Sequence, residues 1–286
     1  MLIECYDVGG TSIRGALVNN RSLVEKVKEN TEKDFCSQIR KISKRLRKSN
    51  QPASLVIIVP GPVENEIMLN APPLGISTPI DIKKELSDLC NNIHIANDVD
   101  AAIEGEIKYG AGTSLDSFYL LTISTGIGSA LAVNGKRVEN FAGEFGHNVL
   151  ERMKVFSFYC GCGNYGCWVS LSSGMGIINL ANLYFRKSIG VEEVFKLAEK
   201  RNPVAEEIIR KVRDYNAQGI GNMINVVPVE GIVVMGSIGL EQFDKIIPSA
   251  YEIQKYTIFK NRIPKIIKTK LGDDIGLLGA SVIGEK

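Results

Sequence analysis

One short pattern occurs twice in this sequence, and it restricts the possible folds more than any other feature. The first copy, Leu2–Val18, contains the turn Gly9-Gly10-Thr11, and the second copy, Phe118–Val133, contains the turn Ser124-Thr-Gly-Ile-Gly128. Each copy predicts two apolar strands joined by a turn that is rich in glycine and hydroxyl groups. A plan that starts again in this way predicts two lobes of the α/β class, with a boundary near Gly110-Ala-Gly112.

The segments between and after these hairpins show helix and strand patterns. Apolar residues at helical spacing predict a helix within Glu25–Asn50, and the β-branched run Leu55–Val59 predicts a buried strand, so the predicted opening order is strand, strand, helix, strand. The other predicted strands are Ile93–Ala96, Ile232–Met235 and Ile266–Thr269. The other predicted helices are Ile80–Cys90, Val99–Tyr109, Gly174–Leu183, Val191–Lys200, Val204–Val226, Leu240–Ile247 and Ile275–Ile283.

Composition and charge exclude several classes of protein. The formal net charge of +2 over 286 residues is too small to indicate binding to nucleic acid or to an anionic membrane. No apolar run approaches the ~18 residues that a membrane span requires, and the sequence does not open with a basic region followed by an apolar core. We therefore expect a cytoplasmic protein, in which the six cysteines do not form disulfides.

The two glycine turns are candidates for binding phosphate. Glycine leaves its backbone N–H accessible, so Gly9-Gly10-Thr11 in one turn and Thr125-Gly126 in the other can approach an anion. Asp7 precedes the first turn and can orient a metal-bound water near phosphate oxygens. Neither turn has the P-loop or dinucleotide-binding glycine pattern, so we expect a different architecture to hold any nucleotide.

Two further positions lie where a predicted strand ends, which is where ligands gather in open α/β sheets. Asn97-Asp98 follows the strand Ile93–Ala96, and Asp98 is the candidate general base for a hydroxyl that attacks a phosphoryl group, with Asn97 beside it to hold the acceptor. The simpler interpretation of the pair is a helix N-cap. Gly236-Ser237 follows Ile232–Met235 and either flanks a nucleoside or is a plain strand-to-helix turn.

One histidine and three cysteines are crowded into a short stretch that begins at Gly143-Glu-Phe-Gly-His147. Their spacing is His147-x12-Cys160-x-Cys162-x4-Cys167. One imidazole and three thiolates are the ligand set of a tetrahedral structural zinc site, and soft thiolate ligands favour zinc over magnesium. Such a site has no open coordination position, so the sequence predicts an ion that shapes the loop and takes no part in catalysis.

These motifs together resemble those of the ROK family, which comprises sugar kinases and sugar-sensing repressors of the actin-like ATPase superfamily. The motifs that carry the resemblance span nearly the whole chain: Asp7-Val-Gly-Gly-Thr-Ser-Ile-Arg14, Pro60-Gly-Pro-Val63, Asn97-Asp98, Ser124-Thr-Gly-Ile-Gly128, Gly143-Glu-Phe-Gly-His147, Cys160-Gly-Cys-Gly-Asn-Tyr-Gly-Cys167 and Leu271-Gly-Asp-Asp-Ile-Gly-Leu-Leu-Gly-Ala280. The resemblance implies a two-lobed, ribonuclease H-like α/β fold with an interlobe cleft. Residues 1–112 with the returning C-terminal helix 273–286 are expected to form the small lobe, and residues 113–272 the larger lobe with the zinc loop.

The resemblance also implies an activity and the residues that perform it. Asp98 is expected to activate a sugar hydroxyl, usually the 6-hydroxyl, for attack on the γ-phosphate of Mg-ATP. The residues expected at the sugar are Gly61, Asn70, Asn97, Asp98, Glu144 and His147. The residues expected at ATP are Asp7, Gly9, Gly10, Thr11, Thr125, Gly126 and Gly236. His147 is expected to place its second ring nitrogen on zinc, and a homo-oligomer, either a dimer or a tetramer, is expected because dimers are usual in families of this kind.

Two positions depart from the family pattern. Val169 lies two residues after the last zinc cysteine, where most ROK kinases have a glutamate that binds the sugar near its first and second carbons. A pocket discriminates strongly only where it makes polar contacts, so the sugar stays open among glucose, mannose, fructose and the N-acetylhexosamines. Ser12 replaces a frequent lysine in the first phosphate turn, which matters less because the backbone amides remain.

Three rival functions fit the sequence less well than a glucokinase-like enzyme or a kinase for fructose, N-acetylmannosamine or N-acetylglucosamine. A transcription regulator of the same family carries an added helix-turn-helix domain before its first strand, whereas Asp7 lies near the start of this sequence. A sugar-binding regulator without catalysis would not need the intact Asp98. A short-chain dehydrogenase is suggested by Tyr251-x-x-x-Lys255, but that class needs a longer glycine pattern than Thr125-Gly-Ile-Gly128.

Overall fold

The structure of the protein is a computed structural model that describes residues 1–139, 141–152 and 158–286. The chain folds into two compact units. The first unit comprises Met1–Ser114, Gly135–Arg137 and Lys270–Lys286, and the second comprises Leu115–Asn134 and Val138–Thr269. Each unit combines a sheet with helices, so the chain is of the predicted α/β class. The assignment of residues 1–112 with 273–286, and of residues 113–272, to two functional lobes stays a prediction.

Strands and helices follow one another along both units. The strands are β1 (Leu2–Val8), β2 (Ser12–Asn19), β3 (Ser22–Asn30), β4 (Ser54–Val59), β5 (Val63–Glu64), β6 (Ile67–Met68), β7 (Ile93–Asn97), β8 (Phe118–Ile123), β9 (Ile127–Val133), β10 (Lys136–Arg137), β11 (Gly231–Met235) and β12 (Lys265–Lys268). The helices are α1 (Phe35–Arg47), α2 (Ile82–Glu85), α3 (Asp98–Tyr109), α4 (Trp168–Ser172), α5 (Gly174–Phe185), α6 (Val191–Glu199), α7 (Pro203–Val226), α8 (Ser237–Glu241), α9 (Phe243–Ile246), α10 (Ala250–Ile253) and α11 (Ile275–Gly284).

The first unit is built on a sheet with the strand order β3-β2-β1-β4-β7. The strands β1, β2 and β3 pair antiparallel, whereas β1, β4 and β7 are mutually parallel. The short strands β5 and β6 form a separate hairpin in the connection between β4 and β7. Because β1, β4 and β7 point the same way, the residues that follow them meet at one edge of the sheet, which we call the first carboxyl edge.

The strand β3 corrects the predicted opening order, because it occupies the start of the Glu25–Asn50 segment in which only a helix was predicted. Exposed and half-buried residues alternate along β3, which is the period of a strand. Because β3 lies at the edge of the sheet, it tolerates charged side chains on both faces, and its composition therefore resembles that of a surface helix. The predicted apolar positions of the helix, Ile39, Ile42 and Leu46, are buried in α1. The opening order is strand, strand, strand, helix, strand.

Two glycines allow α3 and α11 to pack closely in the first unit. A Cβ atom on Gly279 of α11 would lie 1.7 Å from the carbonyl oxygen of Ala101 in α3, and a Cβ on Gly105 would lie 3.1 Å from the backbone nitrogen of Gly279. The absence of both side chains lets the helix backbones touch. In this packing the start of α11 lies against β1.

The second unit is built on a sheet in which β9, β8, β11 and β12 are neighbours in that order. The strand β9 is antiparallel to β8, and β8, β11 and β12 are parallel, which defines a second carboxyl edge. The predicted helix Leu240–Ile247 is divided into α8 and α9, because Gln242 has a non-helical backbone with φ of −108° and ψ of 19°. Among the described residues, no helix is long and apolar enough to cross a membrane.

Candidate functional site

The strand register brings Asp7 and Asp98 to the first carboxyl edge. Asp7 of β1 lies opposite Ile58 of β4, and Ile58 lies opposite Ala96 of β7. Neighbouring strands are about 4.8 Å apart, so the backbones of Asp7 and Ala96 are separated by roughly 10 Å. Asp98 follows Ala96 by two residues and is the first residue of α3. The two predicted carboxylates are therefore neighbours at this edge.

Asn97 connects the start of α3 to the loop after β4. Its side-chain oxygen accepts hydrogen bonds from the backbone N–H groups of Val99 (2.9 Å) and Asp100 (3.4 Å), so Asn97 is the N-cap of α3. Its side-chain amide donates to the carbonyl oxygen of Gly61 (2.9 Å). A Cβ on Gly61 would lie 2.1 Å from the carbonyl oxygen of Asn70. Three predicted sugar-binding residues, Gly61, Asn70 and Asn97, are thus packed together.

The surroundings of Asp98 favour its protonated form. Burial, together with the negative charges of Asp7 and Asp100, raises the pKa of the Asp98 carboxyl to about 7. A hydrogen bond of 2.9 Å from the backbone N–H of Val99 to Oδ1 of Asp98 acts in the opposite direction. A carboxyl that titrates near neutral pH is suited to accept and release a proton, which is the property that a general base needs.

The first glycine turn lies at the same edge, between β1 and β2. The backbone N–H of Gly9 donates to the carbonyl oxygen of Ser12 (3.0 Å), and the hydroxyl of Thr31 donates to the carbonyl oxygen of Gly9 (2.6 Å). A Cβ on Gly10 would lie 2.5 Å from the carbonyl oxygen of Pro73. The N–H of Gly9 is therefore used within the turn, whereas Gly10 and Thr11 are exposed to solvent.

Sequence reasoning did not single out Arg14 as a site residue, yet Arg14 binds Asp7. The two residues lie opposite each other in the β1–β2 pair, and their side chains form an ion pair. The guanidinium also donates to the carbonyl oxygen of Asp273, just before α11. The hairpin itself carries a signal for the first contact, because a turn centred between Gly9 and Ser12 aligns residues 7 and 14. No local pattern indicates the contact with Asp273.

The predicted nucleotide residues of the second unit gather at the second carboxyl edge. The turn between β8 and β9 contains Thr125 and Gly126, and its residue Ser124 accepts a hydrogen bond of 2.8 Å from the backbone N–H of Gly174, the first residue of α5. Gly236, after β11, has a φ of +89°, and a Cβ there would lie 2.5 Å from the carbonyl oxygen at the end of β8. This position therefore requires glycine for two reasons.

Two glycines hold the segment that contains Glu144 and His147 flat against β9. A Cβ on Gly143 would lie 1.8 Å from the carbonyl oxygen of Ser129, and a Cβ on Gly146 would lie 2.4 Å from that of Ile127. The side chains of Glu144 and His147 are exposed, and Oε2 of Glu144 lies 3.6 Å from Nε2 of His147. The glycine spacing thus directs both polar side chains away from the strand.

The four predicted metal ligands form one cluster. The ligand atoms of His147, Cys160, Cys162 and Cys167 all lie within 4.8 Å of one another. Nδ1 of His147 is 3.4 Å from Sγ of Cys160, and the Sγ atoms of Cys162 and Cys167 are 3.6 Å apart. The edges of a tetrahedron around zinc would be about 3.5 to 3.8 Å, given Zn–S and Zn–N bonds of about 2.3 and 2.1 Å. The donor set and its spacing fit a tetrahedral metal ion.

Trp168 connects this cluster to the core of the second unit. It directly follows Cys167, begins α4 and is fully buried. Its indole Nε1–H donates a hydrogen bond of 2.8 Å to the side-chain oxygen of Asn216 in α7. A Cβ on Gly219, also in α7, would lie 2.3 Å from the indole ring, so the ring rests directly on the helix backbone. The metal loop and the longest described helix are therefore joined through one side chain.

The two sheets and their glycine turns define an actin-like ATPase fold, and solved structures bear this out. The ROK hexokinase from Thermus thermophilus has a TM-score of 0.84 at 23% identity, covering 99% of this chain and 97% of that chain. The ROK glucokinase from Streptomyces griseus, solved with glucose and AMPPNP, has a TM-score of 0.79 at 22% identity, covering 99% of each chain. At these identities the likeness shows the fold, and the predicted fold class is confirmed.

The sequence profile of the ROK family matches residues 3–286, and the chain belongs to this family. The family predicted from the motifs is therefore confirmed. Among its relatives, the N-acetyl-D-glucosamine kinase of Citrobacter koseri is 26% identical over an alignment of 297 positions, which covers 97% of each protein.

Proposed function

We propose that this protein is a sugar kinase that transfers the γ-phosphoryl group of ATP to a hexose hydroxyl, usually the 6-hydroxyl, with Asp98 as the general base. The observation that carries the proposal is the Asp98 carboxyl at the first carboxyl edge, whose pKa is raised to about 7 by burial and by the charges of Asp7 and Asp100. Membership of the ROK family and the sugar kinases among its relatives support the reaction class.

In the proposed reaction the sugar hydroxyl attacks the γ-phosphorus, the bond from that phosphorus to the ADP oxygen breaks, and Asp98 takes the hydroxyl proton. In the first unit, Gly61, Asn70 and Asn97 are proposed to bind other sugar hydroxyls. The hydrogen bond from Asn97 to the carbonyl oxygen of Gly61 supports this role, because it ties the loop to the residue next to the base. Fixed positions for the hydroxyl and the base lower the entropy cost of the reaction.

Glu144 and His147 of the second unit are proposed to bind further sugar hydroxyls. Their exposed side chains, 3.6 Å apart at the nearest oxygen and nitrogen, together offer an acceptor and an imidazole nitrogen to a polyol. Because Nδ1 of His147 lies toward Cys160, Nε2 is the nitrogen that stays available to a ligand. This arrangement supports a role for the metal cluster in orienting the imidazole.

The glycine turns are proposed to bind Mg-ATP. Exposure of Gly10 and Thr11 supports contact with the phosphates, and the gathering of Thr125, Gly126 and Gly236 at one edge supports a nucleotide role in the second unit. Magnesium, when bound, neutralises the negative charge of the phosphates. Asp7 is proposed to hold a water of that ion.

A zinc ion is proposed for the cluster of His147, Cys160, Cys162 and Cys167. Three thiolates and one imidazole leave no position for substrate, so the ion, when bound, cross-links the loop. Although burial acts against it, hydrogen bonds from Asn164 and from the neighbouring thiols lower the pKa of the Cys162 thiol. A thiolate is the form that binds metal, so the lowered pKa supports Cys162 as a ligand, whereas burial raises the pKa of the Cys160 and Cys167 thiols.

A panel of sugars tests the proposed activity. Purified protein with Mg-ATP is incubated with glucose, mannose, fructose, N-acetylglucosamine or N-acetylmannosamine, and ADP release is measured by a coupled assay. We expect ADP release that depends on at least one of these sugars, and the ratio of kcat/KM values identifies the preferred one. Sugar binding by calorimetry without ADP release from any sugar would overturn the kinase proposal in favour of a sugar-binding regulator. A cytoplasmic location and a dimer or tetramer stay predictions.

A further inference from the structure

We propose that Arg14 is a positioning residue. It holds the Asp7 carboxylate against the start of α11 and thereby fixes the position of the negative charge that Asp98 experiences. The inference rests on the proposed role of Asp98 as the base. Its first support is the double contact of the guanidinium, which pairs with the Asp7 carboxylate through one nitrogen and donates to the carbonyl oxygen of Asp273 through another. One side chain thus joins β2, β1 and the segment before α11.

The Asp7 carboxylate has little freedom between Arg14 and α11. A Cβ on Gly276, in the first turn of α11, would lie 3.4 Å from Oδ2 of Asp7. The N-cap residue of α11, Asp274, makes no capping hydrogen bond with its side chain, which pairs instead with Lys26. The first turn of α11 therefore lies directly beside the Asp7 carboxylate. Arg14 and the helix together hold this carboxylate in one place.

Two carboxylates, those of Asp7 and Asp100, repel the negative charge of ionised Asp98, and each pairs with one guanidinium. Asp100, on the same helix as Asp98, pairs with Arg137 at 3.2 Å. Asp7, two strands away in the sheet, pairs with Arg14. Both carboxylates raise the pKa of Asp98. A positive guanidinium paired with each of them is expected to offset part of that effect. Removal of Arg14 leaves the charge of Asp7 uncompensated on its strand, so ionisation of Asp98 becomes harder still.

The test measures the proton affinity of Asp98 directly, in protein free of nucleotide and magnesium. Carboxyl ¹³C signals of labelled aspartate are followed against pH, and Asp98→Asn identifies the signal of Asp98. We expect Arg14→Gln to shift the midpoint upward by about 0.5 to 1 pH unit, because the positive charge that compensates Asp7 is lost. We expect Arg14→Lys to restore most of the wild-type midpoint, because the ammonium keeps the charge.

A matched control removes a similar ion pair elsewhere. Arg210 pairs with Glu207 at 2.6 Å in the second unit, and Arg210→Gln is expected to leave the Asp98 midpoint unchanged. If circular dichroism shows that Arg14→Gln does not fold, Arg14→Met, which keeps the apolar stem of the side chain, takes its place. An unchanged midpoint in the neutral variant, or a shift of equal size in Arg14→Lys, would overturn the proposal.

Kinetics separates this inference from the proposed function. The acid limb of kcat/KM against pH is expected to move upward with the NMR midpoint in Arg14→Gln and to return in Arg14→Lys. A midpoint that moves while the acid limb stays in place would overturn the link between Arg14 and the reaction. Full turnover by Asp98→Asn would overturn Asp98 as the base, whatever the NMR midpoint of the Arg14 variants.

Discussion

Nδ1 of His147 lies 3.4 Å from Sγ of Cys160. This orientation turns one ring nitrogen into the metal cluster and leaves the other, Nε2, near Glu144. A histidine held in this way has a defined tautomer and ring direction when metal is bound. The metal loop is therefore expected to act on substrate binding through geometry, and its loss is expected to change the shape of the loop before it changes any chemical step.

Removal of one metal ligand should release the proposed zinc. Cys162→Ser weakens the site because a hydroxyl is a poor zinc ligand at neutral pH, so we expect loss of bound zinc by plasma mass spectrometry. We also expect faster proteolysis between Glu144 and Gly174. Cys90→Ser, which alters a half-buried cysteine outside the cluster, is the control and should keep its zinc. Well-folded wild-type protein without zinc would contradict the prediction.

Replacement of the proposed base should lower turnover without much loss of sugar affinity. Asp98→Asn keeps the shape of the side chain but cannot accept the proton, and general base catalysis contributes about 10²- to 10⁴-fold. We expect a fall of that size in kcat, measured by ADP release, with KM for the sugar nearly unchanged. Asp100→Asn, two residues further along α3, should reduce kcat far less. Unchanged turnover in Asp98→Asn would refute the assignment.

The same substitution should change the pH dependence of stability. The fold raises the pKa of Asp98 from 3.8 to about 7, so the folded state holds the proton more tightly than the unfolded state does. The stability that this provides is present below pH 4 and is lost as pH rises through 7. Asp98→Asn should therefore exceed the wild type in unfolding free energy at pH 8 by about 1 to 3 kcal/mol, and by less at pH 5. Urea denaturation at both pH values measures this, and a difference independent of pH would contradict it.

Position 169 should control the choice of sugar. Val169 is half-buried beside the Thr125–Gly126 turn, with its methyl group 3.9 Å from where a Cβ of Gly126 would lie. Val169→Glu restores the residue that most ROK kinases have, so we expect it to raise kcat/KM for sugars with free hydroxyls on the first two carbons relative to N-acetylhexosamines. The exposed Val226→Glu is the control. An unchanged ratio among the sugars would exclude this role.

Replacement of Gly143 should destabilise the protein through a steric clash in addition to backbone strain. Gly143 and Gly75 have similar φ values of +67° and +70°, but only at Gly143 would a Cβ meet a neighbour, at 1.8 Å from the carbonyl oxygen of Ser129. Gly75→Ala should lower the free energy of unfolding by about 1 kcal/mol through backbone strain. Gly143→Ala should lower it by about 1 to 3 kcal/mol more than Gly75→Ala does, because of the added clash. Thermal unfolding compares the two variants, and equal losses would show that backbone conformation alone decides.

Much of the site could be predicted because its residues follow local rules. Asn97 caps a helix, which its type and its position before Val99 indicate. The three close cysteines with His147 fit a metal ion, as their spacing predicts. In each case the signal lies within a few residues of sequence or in an unusual concentration of one residue type.

The remaining contacts could not be predicted because they depend on the assembled sheet. The contact of Arg14 with the carbonyl oxygen of Asp273 joins residues that are distant in sequence, and packing of α11 on α3 creates it. The raised pKa of Asp98 depends first on burial and then on the charge of Asp7, which the parallel register of three strands brings near; no single strand encodes either. The strand β3 was missed because an edge strand can carry the charges of a helix surface.

Trp168 is the only tryptophan of the 286 residues, and its indole lies between the last metal ligand and α7. Indole emission depends on the polarity around the ring and on the hydrogen bond of its N–H group. Ultraviolet excitation at wavelengths where the nine tyrosines absorb little therefore observes a single place in the unlabelled protein. The chain carries its own optical probe, and a change in emission wavelength on chelation would follow the metal loop in real time without any attached dye.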